Sequence, residues 1–392
     1  MTSSNPPDWL PRALREQHAD PHVVVALSGG VDSSVAALRI REAGLRCSAL
    51  FMKNWNEPRE DGRCRWEDDV DDCLEVCEKL DIPLNTIDLS QAYWDGVFED
   101  FLAQYRCGRT PNPDVLCNRE IKFKAFLAAA RALGGDVIAT GHYVRSTTID
   151  NHWRLRTGVD GNKDQSYFLY TLGQQQLANS LFPVGDLPKN EVRALARAAG
   201  LSTHEKKDST GICFIGERRF REFLAQYVPA QPGPIKTEDG RVIGQHHGAV
   251  YYTLGQREGL GIGGVRGAAE APWFVAAKDL QHNVLTVVQG HDNPALFGRA
   301  LFATELSWVA GEPPALPLTC TAKTRYRQPA QRCTIAAHTD AHVRVEFSAA
   351  QRAITPGQSV VFYQDQDCLG GGIISSVEKA HTKPTTEARN CR

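Results

Sequence analysis

The sequence predicts a doubly wound α/β domain built on a parallel sheet, followed by a small, mainly β central domain and a C-terminal β-barrel. Over the first 205 residues, strand-like runs alternate with helical patterns, which is typical of a parallel sheet covered by helices on both faces. A Pro/Gly-rich connector, Pro229 to Pro234, then leads into a Gly-dense segment. From Ala300 onward, short strands recur at a spacing that favours a barrel or sandwich.

The first domain is assigned to residues 1–210. Its strands are predicted near 23–27, 47–52, 84–89 and 136–140, and its helices near 31–43, 67–80, 91–106 and 118–133. Two buried helix faces are predicted from residues at helical spacing: Tyr93, Val97, Phe101 and Tyr105, and Val70, Cys73, Leu74, Cys77 and Leu80. Cys73 and Cys77 are therefore interpreted as core residues. The acid-rich stretch 57–72 is interpreted as a mobile loop that enters a helix.

The central domain is assigned to residues 211–295 and the C-terminal barrel to residues 296–380. Asp239-Gly240 predicts a hairpin turn, and apolar runs lie at 249–252 and 284–288. Barrel strands are predicted near 300–307, 318–325, 332–338, 342–348, 358–364 and 369–377, with turns at Thr339-Asp340 and Pro356-Gly357. The polar tail 381–392 is expected to be disordered.

The net charge, the apolar runs and the cysteine content limit the classes of function that are possible. The 392 residues carry a net charge of −2, so any RNA contact must be local, in patches such as Lys206-Lys207 or Arg218-Arg219-Phe220-Arg221, although such runs are more often solvated faces. No apolar run approaches the roughly 18 residues of a membrane span, and the first 22 residues lack the apolar core of a signal peptide. We expect a cytoplasmic protein without a membrane partner. Its eleven irregularly spaced cysteines are typical of reduced thiols.

The stretch V-V-V-A-L-S-G-G-V-D-S-S, Val23 to Ser34, predicts a strand, a Gly-Gly turn and a helix. Backbone N–H groups at such a turn converge on an anion, and the helix N-terminus adds partial positive charge. Ser28, Ser33 and Ser34 supply hydroxyls, and Asp32 could cap the helix or hold a metal that bridges phosphates. The pattern favours a phosphate site without a Walker lysine, and the alternative is an ordinary Gly-rich turn.

Two cysteines lie in loops that favour reactivity. Cys117 ends the run P-N-P-D-V-L-C before a helix predicted to begin near Asn118, where the helix dipole would lower the pKa of the thiol below about 8.5. Cys213 lies in D-S-T-G-I-C-F, near four cationic side chains: Lys206, Lys207, Arg218 and Arg219. Either cysteine could instead be a buried structural thiol.

The cysteines could alternatively form a metal site. Cys64, Cys73 and Cys77, or the pair Cys117 and Cys213, could hold zinc or an iron–sulfur cluster. Because no C-x-x-C occurs, no structural metal bound by the protein is expected.

The motif S-G-G-V-D-S-S resembles the PP-loop of the N-type ATP pyrophosphatases, an adenine nucleotide alpha hydrolase-like group that cleaves ATP between its α and β phosphates. Further sequence motifs extend the resemblance to the bacterial tRNA 2-thiouridylases over nearly all of residues 22–378. They are F-M at 51–52, P-N-P-D-V-L-C-N-R-E-I-K-F at 111–123, A-T-G-H-Y at 139–143, K-D-Q-S-Y-F-L at 163–169, D-S-T-G-I-C-F-I-G-E-R-R-F at 208–220 and Y-Y-T-L-G-Q-R-E-G-L-G-I-G-G at 251–264.

The resemblance implies the following site residues. ATP would contact Ala26, Leu27, Ser28, Gly29, Gly30, Val31, Asp32, Ser33, Met52 and Gly141. The target uracil would contact Asn112, Pro113 and Asp114, and the rest of the tRNA would contact Lys163, Asp164, Gln165, Arg325 and Tyr326.

The implied reaction adenylates the C2 oxygen of wobble uridine U34 in lysine, glutamate and glutamine tRNAs, with Mg²⁺ assisting. Cys213 would carry a persulfide supplied by a cysteine desulfurase or a sulfur-relay protein, and its sulfur would attack C2 directly or as hydrosulfide. Cys117 would be the nucleophile, forming either a transient Cys117–Cys213 disulfide or a covalent bond to the base. Asp114 would be an acid/base partner, or an Asx residue that caps the loop.

Two other functions are compatible with parts of this pattern. A PP-loop synthetase that adenylates a small molecule would need ATP but neither cysteine nor an RNA surface. A non-catalytic tRNA-binding module would bind tRNA without producing AMP, and the intact S-G-G-V-D-S-S argues against it.

Overall fold

The computed structural model describes residues 7, 9–11, 14, 16, 19–56, 62–208, 220–265, 267, 269–339 and 341–379. Cys213, Arg218, Arg219, Asp340 and the tail 381–392 therefore lie outside the described residues. The α-helices are α1 (Val31–Glu42), α2 (Arg65–Leu80), α3 (Ser90–Tyr93), α4 (Glu99–Arg106), α5 (Pro113–Leu116), α6 (Phe126–Ala132), α7 (Ser166–Leu169), α8 (Gln174–Ala178), α9 (Lys189–Ala198) and α10 (Phe220–Ala225).

The strands of the described chain divide into three sheets. They are β1 (His22–Ala26), β2 (Arg46–Lys53), β3 (Leu84–Asp88), β4 (Val137–Ala139), β5 (Val144–Ile149), β6 (His152–Thr157), β7 (Ser180–Leu181), β8 (Gly233–Lys236), β9 (Val242–His246), β10 (Trp273–Asp279), β11 (Val284–Gln289), β12 (Phe297–Trp308), β13 (Leu318–Lys323), β14 (Gln331–Thr339), β15 (His342–Arg352), β16 (Ser359–Gln364) and β17 (Asp367–Lys379).

The N-terminal sheet is parallel throughout, in the order β3-β2-β1-β4-β7. The four predicted strands are confirmed, whereas the two-residue β7 is too short for a sequence pattern to indicate. Alternate residues of β1 enter cores on opposite faces: Val24 and Ala26 on one, Val23 and Val25 on the other. The chain order reverses between β1 and β4, which opens a crevice at their carboxyl ends.

The helix that contains Cys117 begins earlier than predicted. Residues 113–132 form one continuous helix in which a π-helical stretch, Cys117–Ala125, joins α5 to α6. The predicted start near Asn118 is wrong, because Asn112 caps the helix and Pro113 occupies its first position. Cys117 therefore lies one turn inside the helix.

On α2 the predicted buried face is only partly correct. Cys73, Cys77 and Leu80 are buried, but Leu74 is 53% exposed. The predicted face of helix 90–106, in which a π-helical stretch joins α3 to α4, is confirmed, since its four aromatic and aliphatic residues are all buried: Tyr93, Val97, Phe101 and Tyr105.

The strand pattern of the sequence did not predict the hairpin β5–β6. It leaves the parallel sheet and extends the C-terminal sheet, because Leu155 and Arg156 of β6 pair with Cys368 and Asp367 of β17. Arg156 Nε also lies 3.0 Å from the Asp367 carboxylate. A segment of the first predicted domain is thus built into the last one.

The C-terminal domain is a closed six-stranded barrel, β12-β15-β14-β13-β16-β17, in which β12 pairs with β17. All six predicted strands are confirmed. The central sheet has the order β10-β11-β8-β9, and the predicted hairpin turn at Asp239-Gly240 connects β8 to β9. In the part of the chain that the structure describes, no helix is both long and apolar enough to cross a membrane.

Candidate active site

The loop after β1 forms a tight cradle at the carboxyl edge of the sheet. Gly30 is the N-cap of α1, and Gly29 has a φ of +70°, where a Cβ would lie 2.6 Å from the Asp69 carbonyl oxygen. Ser33 Oγ accepts from the Ser28 N–H at 3.2 Å and donates to the Gly30 carbonyl at 3.0 Å. The loop is therefore held from within, with the first N–H groups of α1 directed toward the crevice.

Gly141 and Met52 border this cradle from neighbouring strands. Gly141 follows β4, and a Cβ there would lie 2.7 Å from both the carbonyl carbon of Asp32 and the nitrogen of Ser33. Met52 lies near the end of β2 and is 6% exposed. The predicted nucleotide residues thus gather at the carboxyl ends of β1, β2 and β4. Glycine at positions 29 and 141 lets the loop pack closely on α2 and lets the end of β4 pack closely on α1.

Asp32 is the second residue of α1 and not its cap, which corrects the capping interpretation. Its carboxylate accepts from Tyr143 Oη at 2.7 Å and from Lys189 Nζ at 2.7 and 2.8 Å. Burial, followed by the neighbouring Asp32 charge, raises the pKa of Tyr143, so its hydroxyl stays a donor. Among the described residues, no group of three or more His, Cys, Asp or Glu is placed to hold a metal.

Lys189 also reaches Asp208 at 2.8 Å, and Asp208 pairs with Lys163 at 2.6 Å and with Arg193 at 2.9 Å. We call Asp32, Lys163, Lys189, Arg193 and Asp208 the ion cluster. Partial burial opposes the charge of Asp208, but hydrogen bonds from Lys163 and Lys189 outweigh it and lower its pKa to about 2. Lys189 and Arg193 could not be predicted as site residues, because no motif singled out in the sequence contains them.

Only part of the candidate RNA-binding patch at residues 206–207 is free to contact RNA. Lys206 Nζ lies 2.8 Å from Asp69 and also contacts Asp72, so its charge is used to hold α2. Lys207 is exposed.

The predicted target-base segment is held by the barrel. The Thr110 N–H donates to the Pro356 carbonyl at 3.1 Å, and Gln358 Nε2 donates to the Thr110 carbonyl at 2.7 Å. Asn112 Oδ1 accepts from the Asp114 N–H at 3.2 Å, so Asn112, and not Asp114, supplies the cap. Cys117 is buried in this conformation.

Asn118, which follows Cys117, is a further buried polar residue at the site, and the sequence carries no signal for its role. Its Nδ2 donates to the Phe168 carbonyl at 3.2 Å, while Oδ1 has no partner in the described structure. This bond ties the Cys117 helix to α7.

The two segments predicted to contact tRNA meet in space. The ring of Tyr326 packs on Phe168, which follows the 163–165 segment, with a centroid distance of 4.3 Å. Asp164 is 5% exposed and accepts from Lys323 Nζ at 3.1 Å. Arg325 Nη2 donates to the carbonyls of residues 254 and 353, at 2.8 and 2.9 Å, and so joins the central domain to the barrel.

These contacts connect most of the predicted residues. The ion cluster runs from the nucleotide loop to Lys163, and Asn118 and Phe168 link the Cys117 helix to Tyr326. Gln165 Oε1 accepts from the Tyr143 N–H at 2.9 Å. Cys213 lies outside the described residues, so its pairing with Cys117 stays a prediction.

The fold and the loop define a class of protein: a HUP-type α/β domain followed by two β domains. Family models match accordingly: the tRNA methyl transferase HUP domain over residues 21–217, the tRNA methyl transferase PRC-barrel domain over 221–289, and the aminomethyltransferase beta-barrel domain over 298–374. Identity of 57% over 92% of the chain to a curated relative shows that the chain belongs to the tRNA-specific 2-thiouridylase MnmA family.

Membership rests on curated relatives of nearly the same length. The chain is 57% identical over 361 residues to the tRNA-specific 2-thiouridylase MnmA of Pseudomonas fluorescens, covering 92% of this chain and 96% of that one. It is 56% identical over 353 residues to the MnmA of Francisella tularensis subsp. novicida, covering 90% and 98%. Among solved structures, a 4-thiouridine synthetase–RNA complex with bound ATP aligns at 18% identity and a TM-score of 0.34, over 53% of this chain and 50% of that one.

Proposed function

We propose that the protein is a tRNA 2-thiouridylase, a sulfurtransferase that uses ATP to replace the C2 oxygen of wobble uridine U34 with sulfur. The observation that carries this proposal is the run of ion pairs from Asp32 through Lys189 and Asp208 to Lys163. This run places the nucleotide loop beside the segment proposed to contact tRNA. A reaction between ATP and an RNA base requires that the sites for the two substrates adjoin.

ATP is proposed to activate the base. A uracil carbonyl oxygen is a poor leaving group, but attack of O2 on the α-phosphorus expels pyrophosphate and converts the oxygen into part of AMP. The N–H groups at the start of α1 and the loop at 28–30 would stabilise the developing phosphate charge, as preorganised donors do. Mg²⁺ would bind the phosphates beside Asp32 and supply further positive charge.

Sulfur is proposed to arrive as a persulfide on Cys213. Its terminal sulfur attacks C2 and AMP leaves; attack of the Cys117 thiolate on the Cys213 sulfur then breaks the S–S bond, frees the 2-thio base and forms a Cys117–Cys213 disulfide. In the alternative order, Cys117 first releases hydrosulfide, which attacks C2. In both orders a thiol reductant supplies two electrons to reduce the disulfide. In the third route the Cys117 thiolate displaces AMP at C2 and forms a transient covalent bond to the base, with Asp114 moving protons. Hydrosulfide, which the thiol reductant frees from the Cys213 persulfide, then displaces the Cys117 thiolate from C2.

The proposed partners are tRNAs for lysine, glutamate and glutamine, and a cysteine desulfurase or sulfur-relay protein in the cytoplasm. Lys163, Asp164, Gln165, Arg325 and Tyr326 are proposed to contact the tRNA backbone and bases, as the family resemblance implies. We further propose the domain limits 1–210, 211–295 and 296–380, with hairpin β5–β6 as the part of the first domain that extends the barrel sheet.

The test is to incubate the protein with unmodified glutamate tRNA, ATP, Mg²⁺, cysteine, a thiol reductant and a cysteine desulfurase, then digest the RNA and analyse its nucleosides by mass spectrometry. We expect 2-thiouridine with the unaltered protein and none with Cys213→Ser or Cys117→Ser. Cys107→Ser is the matched control, because Cys107 is exposed and belongs to none of the proposed contacts.

Other outcomes would identify the competing functions. AMP without 2-thiouridine, retained in both cysteine variants, would indicate a synthetase that acts on a small molecule. tRNA binding without AMP would indicate a binding module. A methylated nucleoside in place of a thiolated one would overturn the assignment altogether.

A further inference from the structure

Two cysteines of the barrel lie directly opposite each other on neighbouring strands. Cys320 of β13 pairs with Cys333 of β14, and both side chains belong to the apolar cluster inside the barrel. Their Sγ atoms are 3.7 Å apart. Cys320 is 7% exposed and Cys333 is 1% exposed. The proposed sulfur transfer uses neither thiol.

The backbone at these two cysteines has the dimensions that a disulfide requires. Directly opposed residues of an antiparallel pair have Cα atoms about 4.5–5.5 Å apart and side chains on the same face of the sheet. Disulfides span Cα separations of about 4.4–6.8 Å. A bond requires the two sulfurs to approach from 3.7 Å to about 2.05 Å, a change that the side-chain torsions can supply.

The two thiols differ in reactivity. The hydrogen bond between them lowers the pKa of Cys320, while the same bond, together with burial, raises the pKa of Cys333. Since the thiolate is the form that attacks a disulfide, Cys320 is the attacking residue. It is also the more exposed of the two. Cys333 holds its proton and is placed to attack the Cys320 sulfur in a second step.

The cysteine pair lies in the hairpin that presents Tyr326. Residues 324–330 connect β13 to β14, and Tyr326 within this connection packs on Phe168. Two residue pairs separate the cysteines from the connection. A bond between the two sulfurs would cross-link the strands that support it, so that opening of the hairpin would release less chain entropy.

We propose that Cys320 and Cys333 form a reversible disulfide by exchange with a low-molecular-weight disulfide, RSSR, and that this bond fastens hairpin β13–β14. The site is independent of the proposed function, since neither ATP nor tRNA takes part in the exchange. A protein of a reducing compartment uses such a bond transiently, in response to oxidised thiols.

The exchange proceeds in two steps. The Cys320 thiolate attacks one sulfur of RSSR, which breaks the S–S bond of RSSR, forms a mixed disulfide and releases RS⁻, which takes up a proton. Cys333 then loses its proton and attacks the Cys320 sulfur, which forms the protein disulfide and releases the second RSH. Two protein thiols are oxidised as RSSR is reduced to two RSH, and excess thiol reverses the reaction.

In the test, the folded full-length protein is incubated with glutathione and glutathione disulfide at several ratios. Free thiols are then blocked with N-ethylmaleimide, and tryptic peptides are mapped by mass spectrometry without reduction. Lys323 and Arg332 lie between the two cysteines, so trypsin separates the cysteines unless a disulfide joins their peptides. We expect the joined peptides at ratios rich in glutathione disulfide, and their loss in excess glutathione.

Three variants assign the roles of the two thiols. Cys333→Ser should retain glutathione on Cys320, because the second step is blocked, whereas Cys320→Ser should leave Cys333 unmodified. Cys368→Ser is the matched control, because Cys368 is a buried cysteine of the neighbouring sheet strand β17 and takes no part in the pair. It should form the joined peptides as the unaltered protein does.

Urea unfolding measures the effect of the bond on the hairpin. The oxidised protein should unfold at a higher urea concentration than the reduced protein, and this difference should disappear in Cys320→Ser. An equal or lower midpoint for the oxidised protein would overturn the proposal, as would joined peptides that are absent at every ratio or form only in urea. Peptide mapping distinguishes this pair from Cys117 and Cys213, so failure of the proposed sulfur transfer would be a separate result.

Discussion

The aromatic rings of Phe168 and Tyr326 lie 4.3 Å apart, centroid to centroid, at an interplanar angle of 43°. Phe168 follows the 163–165 segment on α7, whereas Tyr326 belongs to the barrel. The contact joins the two segments proposed to bind tRNA into one surface, and Tyr326 remains partly exposed there.

Tyr326→Ala should weaken tRNA binding by about tenfold, because loss of one stacking platform costs roughly 1–3 kcal/mol per base. Binding of ATP should not change. Filter binding of unmodified glutamate tRNA measures the effect, and Tyr326→Phe, which keeps the ring, should bind as the unaltered protein does. Equal losses in the Phe and Ala variants would show that the hydroxyl, and not the ring, carries the contact.

Gly141→Ala should impair both stability and ATP binding. The new Cβ would lie 2.7 Å from the carbonyl carbon of Asp32 and the nitrogen of Ser33, so α1 must shift, at a cost of about 1–3 kcal/mol. Urea unfolding and calorimetric titration with ATP measure the two effects. Gly161→Ala is the matched control, since nothing lies within 4 Å of a Cβ there; similar results for both variants would contradict the steric argument.

Asp164→Ala should destabilise the fold by about 3–5 kcal/mol, because it leaves the ammonium group of Lys323 without its buried partner. The carboxylate also accepts from the N–H groups of Gly158 and Ser166 and from Ser166 Oγ. Urea unfolding measures the loss. If Asp164 acts mainly on tRNA, the variant would unfold as the unaltered protein does and show only weaker tRNA binding.

Lys278 should make stability depend on alkaline pH. Burial lowers its pKa from 10.5 to about 8, while its Nζ donates to the Tyr252 carbonyl at 2.7 Å. Between these two values the unfolded chain holds a proton that the folded chain has lost, so raising the pH favours folding. The free energy of unfolding should therefore rise from pH 8 to 10.5 relative to Lys278→Met. Parallel curves for the two proteins in urea titrations would refute this.

Much of the fold could be predicted from local sequence patterns. The run from Val23 to Ser34 contains its own strand, turn and helix signals, so the parallel sheet and the loop could be placed from neighbouring residues alone. The same holds for the six barrel strands. The start of the Cys117 helix was misplaced because its signal, Asn112 with Pro113, was interpreted as an irregular loop.

Contacts between segments that are distant in the chain could not be predicted from neighbouring residues. Nothing near Arg156 in the chain indicates that it pairs with Asp367, and nothing near Lys189 indicates that it meets Asp32. Backbone conformation follows from each residue and its immediate neighbours, so the sequence determined the order of elements, the anion-binding loop and the family resemblance. The ion cluster, the Phe168–Tyr326 contact and the burial of Cys117 depend on how whole domains pack, because side chains far apart in the chain meet only when the sheets, helices and barrel have assembled.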